Sequence, residues 1–192
     1  MKLIEFLQLS GIDLSSELQQ DLLGTLVKKV YEKGDYFHKE GRVCKELGLL
    51  IEGQVALIHL VDGTEFTRWV GIKNTFITSL GSFINEVASI NGLRFLSDAK
   101  VEVMTKKDFD RLLYTYPEFQ QFVIRAISQD LVKYQYLADL FITTKGTERY
   151  LKFQEKYPQI VQEIPQKYIA SILGMNPRHL SRIRKKLTTT PK

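Results

Sequence analysis

Between Asn176 and Leu187 the chain places Arg178, His179, Ser181, Arg182, Lys185 and Lys186, all hydrogen-bond donors and four of them cationic, with no acidic residue after Glu163. Donors of this kind on one helix suit recognition of a nucleic-acid duplex. Arg178 and Arg182 stand one helical turn apart, so both can face the same groove. A guanidinium pairs with guanine through two hydrogen bonds, worth about 1–3 kcal/mol of discrimination. His179 and Ser181 can reach a base or a phosphate, and Asn176 belongs to the same contacting set at the helix start. Lys185 and Lys186 lie towards the helix end and suit phosphate contacts, which give affinity without sequence information.

Two helices meeting at a tight turn are needed to present that face. Pro165 fits the first turn of a helix, where its missing N–H is not needed. Ile169 and Leu173 then share a buried face, and Ala170 stands where a second helix must approach closely. Gly174 follows the helix end, where a left-handed conformation costs glycine little. Asn176 caps the next helix, Pro177 takes its first position, and Leu180, Ile183 and Leu187 supply its buried face. A small residue, a glycine four later, and apolar residues six and nine after that describe a helix-turn-helix. An ordinary helical hairpin rarely adds a basic outer face to that pattern.

Charge is divided in the same sense. From Thr143 onward there are eleven Lys/Arg against three Glu, whereas residues 1–142 hold 16 basic and 19 acidic groups. A mildly acidic body with a strongly basic end suggests a polyanionic partner. Cys44 is the only cysteine, so no intramolecular disulfide forms and a reducing cytoplasm is the simplest setting. No apolar run approaches the roughly 20 residues that span a bilayer. Glu5 interrupts the apolar N-terminal run, unlike a signal peptide, so no membrane is expected. No enzyme is expected: His38, His59 and His179 are too dispersed for a metal centre, and neither a P-loop nor a nucleophile elbow is present.

The remainder reads as a β domain bracketed by helices. Leu3, Ile4 and Leu7 mark one short helix, and a second starts at Ser15 or Ser16 with Leu18, Leu22 and Leu23 inward and Gly24 near its end. Glycines then recur from Gly34 to Gly92 between β-branched and aromatic runs: Val27–Tyr31, Tyr36–Phe37, Leu49–Ile51, Val55–Val61, Phe66–Ile72 and Thr75–Thr78. A last pair fits Leu93–Leu96 and Lys100–Met104, and Asp62-Gly63 marks a tight hairpin. Short strands at this spacing describe an antiparallel barrel or sandwich. Phe109, Leu112 and Leu113 make a short helix ended by Pro117. From there to Phe141 runs one helix of about 25 residues, roughly 37 Å long. Its stripe of Phe119, Phe122, Val123, Ala126, Ile127, Leu131, Tyr134, Leu137, Ala138 and Phe141 is wider than the β domain needs and suggests a dimer interface. Residues 142–146 read as a hinge, and a helix from Thr147 to Tyr157 precedes Pro158.

A glycine-punctuated β domain, a long helix and a C-terminal helix-turn-helix together resemble the Crp/Fnr family of bacterial regulators. The carriers are Gly34–Gly41 and Leu49–Val55 in the β domain, and more specifically Ile169–Met175 and Leu180–Ile183. The resemblance, from about residue 15 to 187, implies an α+β fold. Its parts are an antiparallel jelly-roll effector domain (1–116), a dimerising central helix (117–142) and a small all-α helix-turn-helix domain (143–192). It also implies double-stranded DNA, a second copy of the chain and RNA polymerase as partners.

The departures are local. In cyclic-nucleotide-binding members a Gly-Glu pair follows the strand that Phe76-Ile77 resembles, and an Arg ten residues later pairs with the cyclic phosphate. Here the matching effector-pocket positions are Thr78, Ser79 and Ser89. A buried cyclic phosphate needs charge compensation, so cAMP and cGMP are disfavoured as effectors. An iron–sulfur site needs several cysteines, while haem through Cys44 or His59, another effector, or none stay open. The β-hairpin wing that commonly follows the second helix has no counterpart in the five residues after Leu187. Pro177 and Arg178 stand where the best-known members have Arg and Glu, so the target site should differ. The alternative reading is a ligand sensor or protein-interaction module without specific DNA binding.

Overall fold

The computed structural model describes residues 2–9 and 11–189. In chain order the elements are α1 (Lys2–Leu9), α2 (Ser16–Thr25), β1 (Val27–Tyr31), β2 (Tyr36–His38), β3 (Glu46–Glu52), β4 (Val55–Val61), β5 (Thr64–Gly71) and β6 (Thr75–Ile77). They continue with α3 (Leu80–Asn85), β7 (Asn91–Phe95), β8 (Ala99–Thr105), α4 (Lys106–Thr115), α5 (Pro117–Thr143), α6 (Gly146–Lys156), α7 (Pro158–Glu163), α8 (Gln166–Ile172) and α9 (Pro177–Thr189). The architecture is α+β. Among the described residues the strands form two antiparallel four-stranded sheets, β1-β8-β3-β6 and β2-β7-β4-β5, between which the chain crosses repeatedly in jelly-roll fashion.

Alternation along the strands builds the roll's interior. Leu50, Val55, Ile77, Leu93, Phe95, Val101 and Val103 point between the layers and exclude water. The β4–β5 hairpin turns at Asp62 (φ 49°) and Gly63 (φ 76°), the two positive φ angles that a type I′ turn requires. Gly53 has φ +99°, and a Cβ there would sit 2.5 Å from the Asp98 carbonyl, so only glycine fits between β3 and β4.

A second core gathers the first helices and the start of α5 through Leu3, Leu7, Leu18, Leu22, Phe109, Leu112, Phe119 and Phe122. Ser15 caps α2 by accepting from the Leu18 N–H, and the buried Glu102 carboxylate accepts the Leu3 N–H at the start of α1. A third core begins on the β4–β5–β7 side with Ala56, Ile58, Val70 and Leu96. It passes through Leu137 and Leu140 of α5 and continues without a break into Phe153, Ile169, Leu173, Leu180 and Ile183. Trp69 of β5 meets Tyr157 edge-on at 5.1 Å between ring centroids.

Some expectations change. Leu23 is 50% exposed and Leu187 40%, so neither belongs to the buried face of its helix. The six-residue helices α3 and α7 are too short to show a periodic stripe, and α7 is set off by Pro158 at its start and Pro165 after its end. Pro165 caps α8 from outside rather than opening its first turn, and α5 runs on to Thr143.

Candidate nucleic-acid interface and the cleft behind it

Helices α8 and α9 pack through Ala170, Leu173, Leu180 and Ile183, of which only Ile183 retains any solvent exposure. The turn between them is built as its residues dictate. Gly174 takes φ +62°, the Met175 N–H reaches the Ala170 carbonyl at 2.8 Å, and the Arg178 N–H donates to Asn176 Oδ1 at 2.9 Å. The Asn176 side-chain oxygen is therefore occupied as the cap of α9. Gln166 of α8 donates to the Pro177 carbonyl at 3.2 Å and ties the helix starts together.

Opposite the buried Leu180 and Ile183, helical periodicity puts Arg178, Ser181, Arg182 and Lys185 on one exposed ridge. His179 and Lys186 flank it on one side, and Arg184, which the sequence reading omitted, flanks it on the other. The His179 Nε2 lies 3.7 Å from where a Cβ on Gly146 would stand, so α6 backs this ring. All seven side chains from Arg178 to Lys186 outside the buried pair are exposed.

Arg149 of α6 fixes this unit to the long helix. Its guanidinium donates to the Leu173 carbonyl at the end of α8 (3.0 Å) and to the Thr144 and Phe141 carbonyls at the end of α5 (2.8 and 3.4 Å). It also stacks over the Phe141 ring at 4.4 Å. A cation where two helix C-termini converge is favoured by both macrodipoles. Phe141 in turn touches the turn glycine: a Cβ on Gly174 would meet it at 3.0 Å. On the β side, the Thr67 N–H donates to Ser171 Oγ at 2.8 Å and Gln54 Nε2 to the Glu163 carbonyl at 2.9 Å.

The α5 stripe divides in two. Phe119, Phe122 and Leu137 are buried against the chain's own cores and keep little surface for a partner, with Val123 and Ala126 half-buried beside them. The reason is that the roll and α4 occupy that side of the helix. Ile127, Leu131, Tyr134, Ala138 and Phe141 remain exposed, joined by Ile124, Val132 and Ile142, which the periodicity did not single out.

Between the roll and α5 opens a cleft of about 1220 Å³, and Thr78, Ser79 and Ser89 all line it. Ser79 and Ser89, ten residues apart, are buried and share a hydrogen bond of 2.6 Å between their hydroxyls. Ser89 Oγ also donates to the Asn91 carbonyl (2.8 Å) and accepts from the Asn91 N–H (3.0 Å), which leaves Ser79 as the donor of the shared bond. Thr78 donates to the Glu46 carbonyl at 3.0 Å and faces Cys44 Sγ at 3.4 Å. Arg94 lies elsewhere, held by Glu65 in a bidentate pair of 2.6 and 2.7 Å that pushes the guanidinium pKa up and the carboxyl pKa down. Among the described residues, no three His, Cys, Asp or Glu side chains are grouped to hold a metal ion, and no helix is long and apolar enough to cross a membrane.

This arrangement is the fold of Crp/Fnr-type regulators. The c-di-GMP-responsive global regulator CLP of Xanthomonas campestris superposes with a TM-score of 0.69 at 17% identity, covering 91% of this chain and 92% of that one. FixK2 of Bradyrhizobium japonicum gives 0.75 at 13% identity over 85% of each chain. The catabolite activator protein of Thermus thermophilus gives 0.57 at 18% identity, covering 91% of this chain and 84% of that one. No family model matches the sequence, and no curated protein matches it.

Proposed function

We propose that this chain is a sequence-specific DNA-binding transcription regulator of Crp/Fnr type that acts as a homodimer and does not use cAMP in the usual way. The ridge of α9 carries the reading: Arg178, Ser181, Arg182 and Lys185 face solvent together while Leu180 and Ile183 hold the helix from behind. Docked in a major groove, the first two turns of α9 bring Arg178 and Arg182 to base edges and leave Lys185 and Lys186 to the phosphates. The exposed α5 stripe supports pairing of two copies, with half-sites about 34 Å apart on a palindrome. At Ser79 and Ser89 the two hydroxyl protons are already spent within the chain, which leaves neither side chain to donate to a cyclic phosphate.

The test is selection of a binding site from random duplexes, followed by titration at two salt concentrations. Affinity for the selected site should fall steeply between about 50 and 200 mM salt, as release of counterions from several phosphate contacts requires. Arg182→Ala should lose about 1–3 kcal/mol of preference at one base position, whereas Lys186→Ala should weaken all sequences alike. Unchanged affinity and preference in both variants would refute the assignment of α9, and binding indifferent to salt would favour a protein-interaction module.

A further inference from the structure

We infer that the cleft between the roll and α5 takes an uncharged, largely apolar small molecule. The inference deepens the reading of the chain as a Crp/Fnr-type regulator and rests on it only for the ligand's purpose. Two observations carry it.

The first is an account of protons. The Thr78 hydroxyl gives its proton to the Glu46 carbonyl, Ser82 to the Val87 carbonyl, Ser89 to the Asn91 carbonyl, and Ser79 to Ser89. These hydroxyls therefore have none left for a ligand. A phosphate or carboxylate entering there would lose its water and find no donor among them, which is costly for an anion. The apolar side chains beside them, Leu57, Val70, Phe76, Ile77, Leu93 and Phe122, ask for apolar surface.

The second is where charge sits. The ionic groups that line the cleft are Arg68, Arg125, Asp130 and Lys133. Three of them are exposed, at the outer edge. Lys133, the fourth, is committed to Asp130 at 2.6 Å and rests 4.9 Å from the Trp69 ring centroid. Polarity is thus layered, with charge in water at the rim and neutral groups inside, among them the buried Asn91 Oδ1, an acceptor without a partner. A ligand matched to that layering is neutral and buries hydrocarbon against the sheet.

N-phenyl-1-naphthylamine, an uncharged apolar fluorophore, tests this with purified full-length protein and no DNA, so failure of operator binding and failure of this inference are separate results. One probe per chain should bind with saturation and a Kd on the order of micromolar. Decanol should displace it at least about tenfold more effectively than decanoate, and neither cAMP nor c-di-GMP should displace it at about millimolar concentration. Ala126→Trp fills the cleft from α5, and Ser79→Glu places a carboxylate in it; each should weaken the probe at least about tenfold. Circular dichroism shows whether each variant is folded, and either alone suffices if the other is not. Absence of saturable binding, displacement by a cyclic nucleotide, or preference for decanoate overturns the inference. So does full affinity in a folded Ala126→Trp variant, which would put the probe on the exposed face of α5 instead.

Discussion

Leu131→Asp yields a folded monomer whose affinity for a palindromic operator is lower by about 10²-fold or more. Leu131 is 59% exposed and lies midway along an exposed run that starts at Ile124 and ends at Ile142. The fold itself gains little from it, so melting of the protomer should barely change. Between two copies of α5 the same side chain becomes central, and a carboxylate there must be buried unpaired or keep the helices apart. Loss of the dimer removes the second half-site contact, and linked contacts of this kind raise overall affinity by roughly 10²–10⁴. Sedimentation at micromolar concentration checks the first half and fluorescence anisotropy on labelled operator the second. A variant that still sediments as a dimer would place the interface elsewhere.

Arg149→Ala should cost about 3 kcal/mol of stability, because charge-assisted bonds to carbonyls at two helix ends are worth roughly 1.5–3 kcal/mol each and partly compensate one another. For a chain of 192 residues that is a fall in Tm of roughly 6–12 °C. Operator affinity should drop as well, since the guanidinium joins the end of α5 to the last carbonyl of α8 and so sets the angle at which α9 is offered. Arg149→Lys keeps the charge but not the planar fork that reaches Leu173 and Thr144 at once, and should recover only a minority of the loss. Full recovery by lysine would mean that charge alone matters at this junction.

The helix-turn-helix was legible because its constraints are local: Ala170, Gly174, Asn176 and Pro177 are each needed for a nearby backbone or contact reason. The strands were legible from glycine spacing and β-branched runs, and the hairpin from Asp62-Gly63. Helix α3 was not, since Leu80 and Ile84 are exposed and six residues hold no periodic stripe. On α5, apolar residues surround most of the helix, so periodicity could not tell Phe119 and Leu137, which the chain buries itself, from Ile124 and Val132, which it does not. Arg149 was one basic residue among eleven in its region, and its role depends on carbonyls brought together only by folding. The Ser79–Ser89 pair is likewise a product of tertiary contact across ten residues, not of either residue's type.

The apolar core that runs without a break from Ala56 and Val70 to Leu180 and Ile183 has a consequence for cooperativity. The C-terminal helices cannot melt without stripping cover from the sheet, and the sheet cannot open without unroofing them. Heat should therefore unfold the protomer in a single calorimetric endotherm with matching van't Hoff and calorimetric enthalpies. A second endotherm, or a protease-resistant fragment ending near Thr144, would mark the two halves as independent foldons.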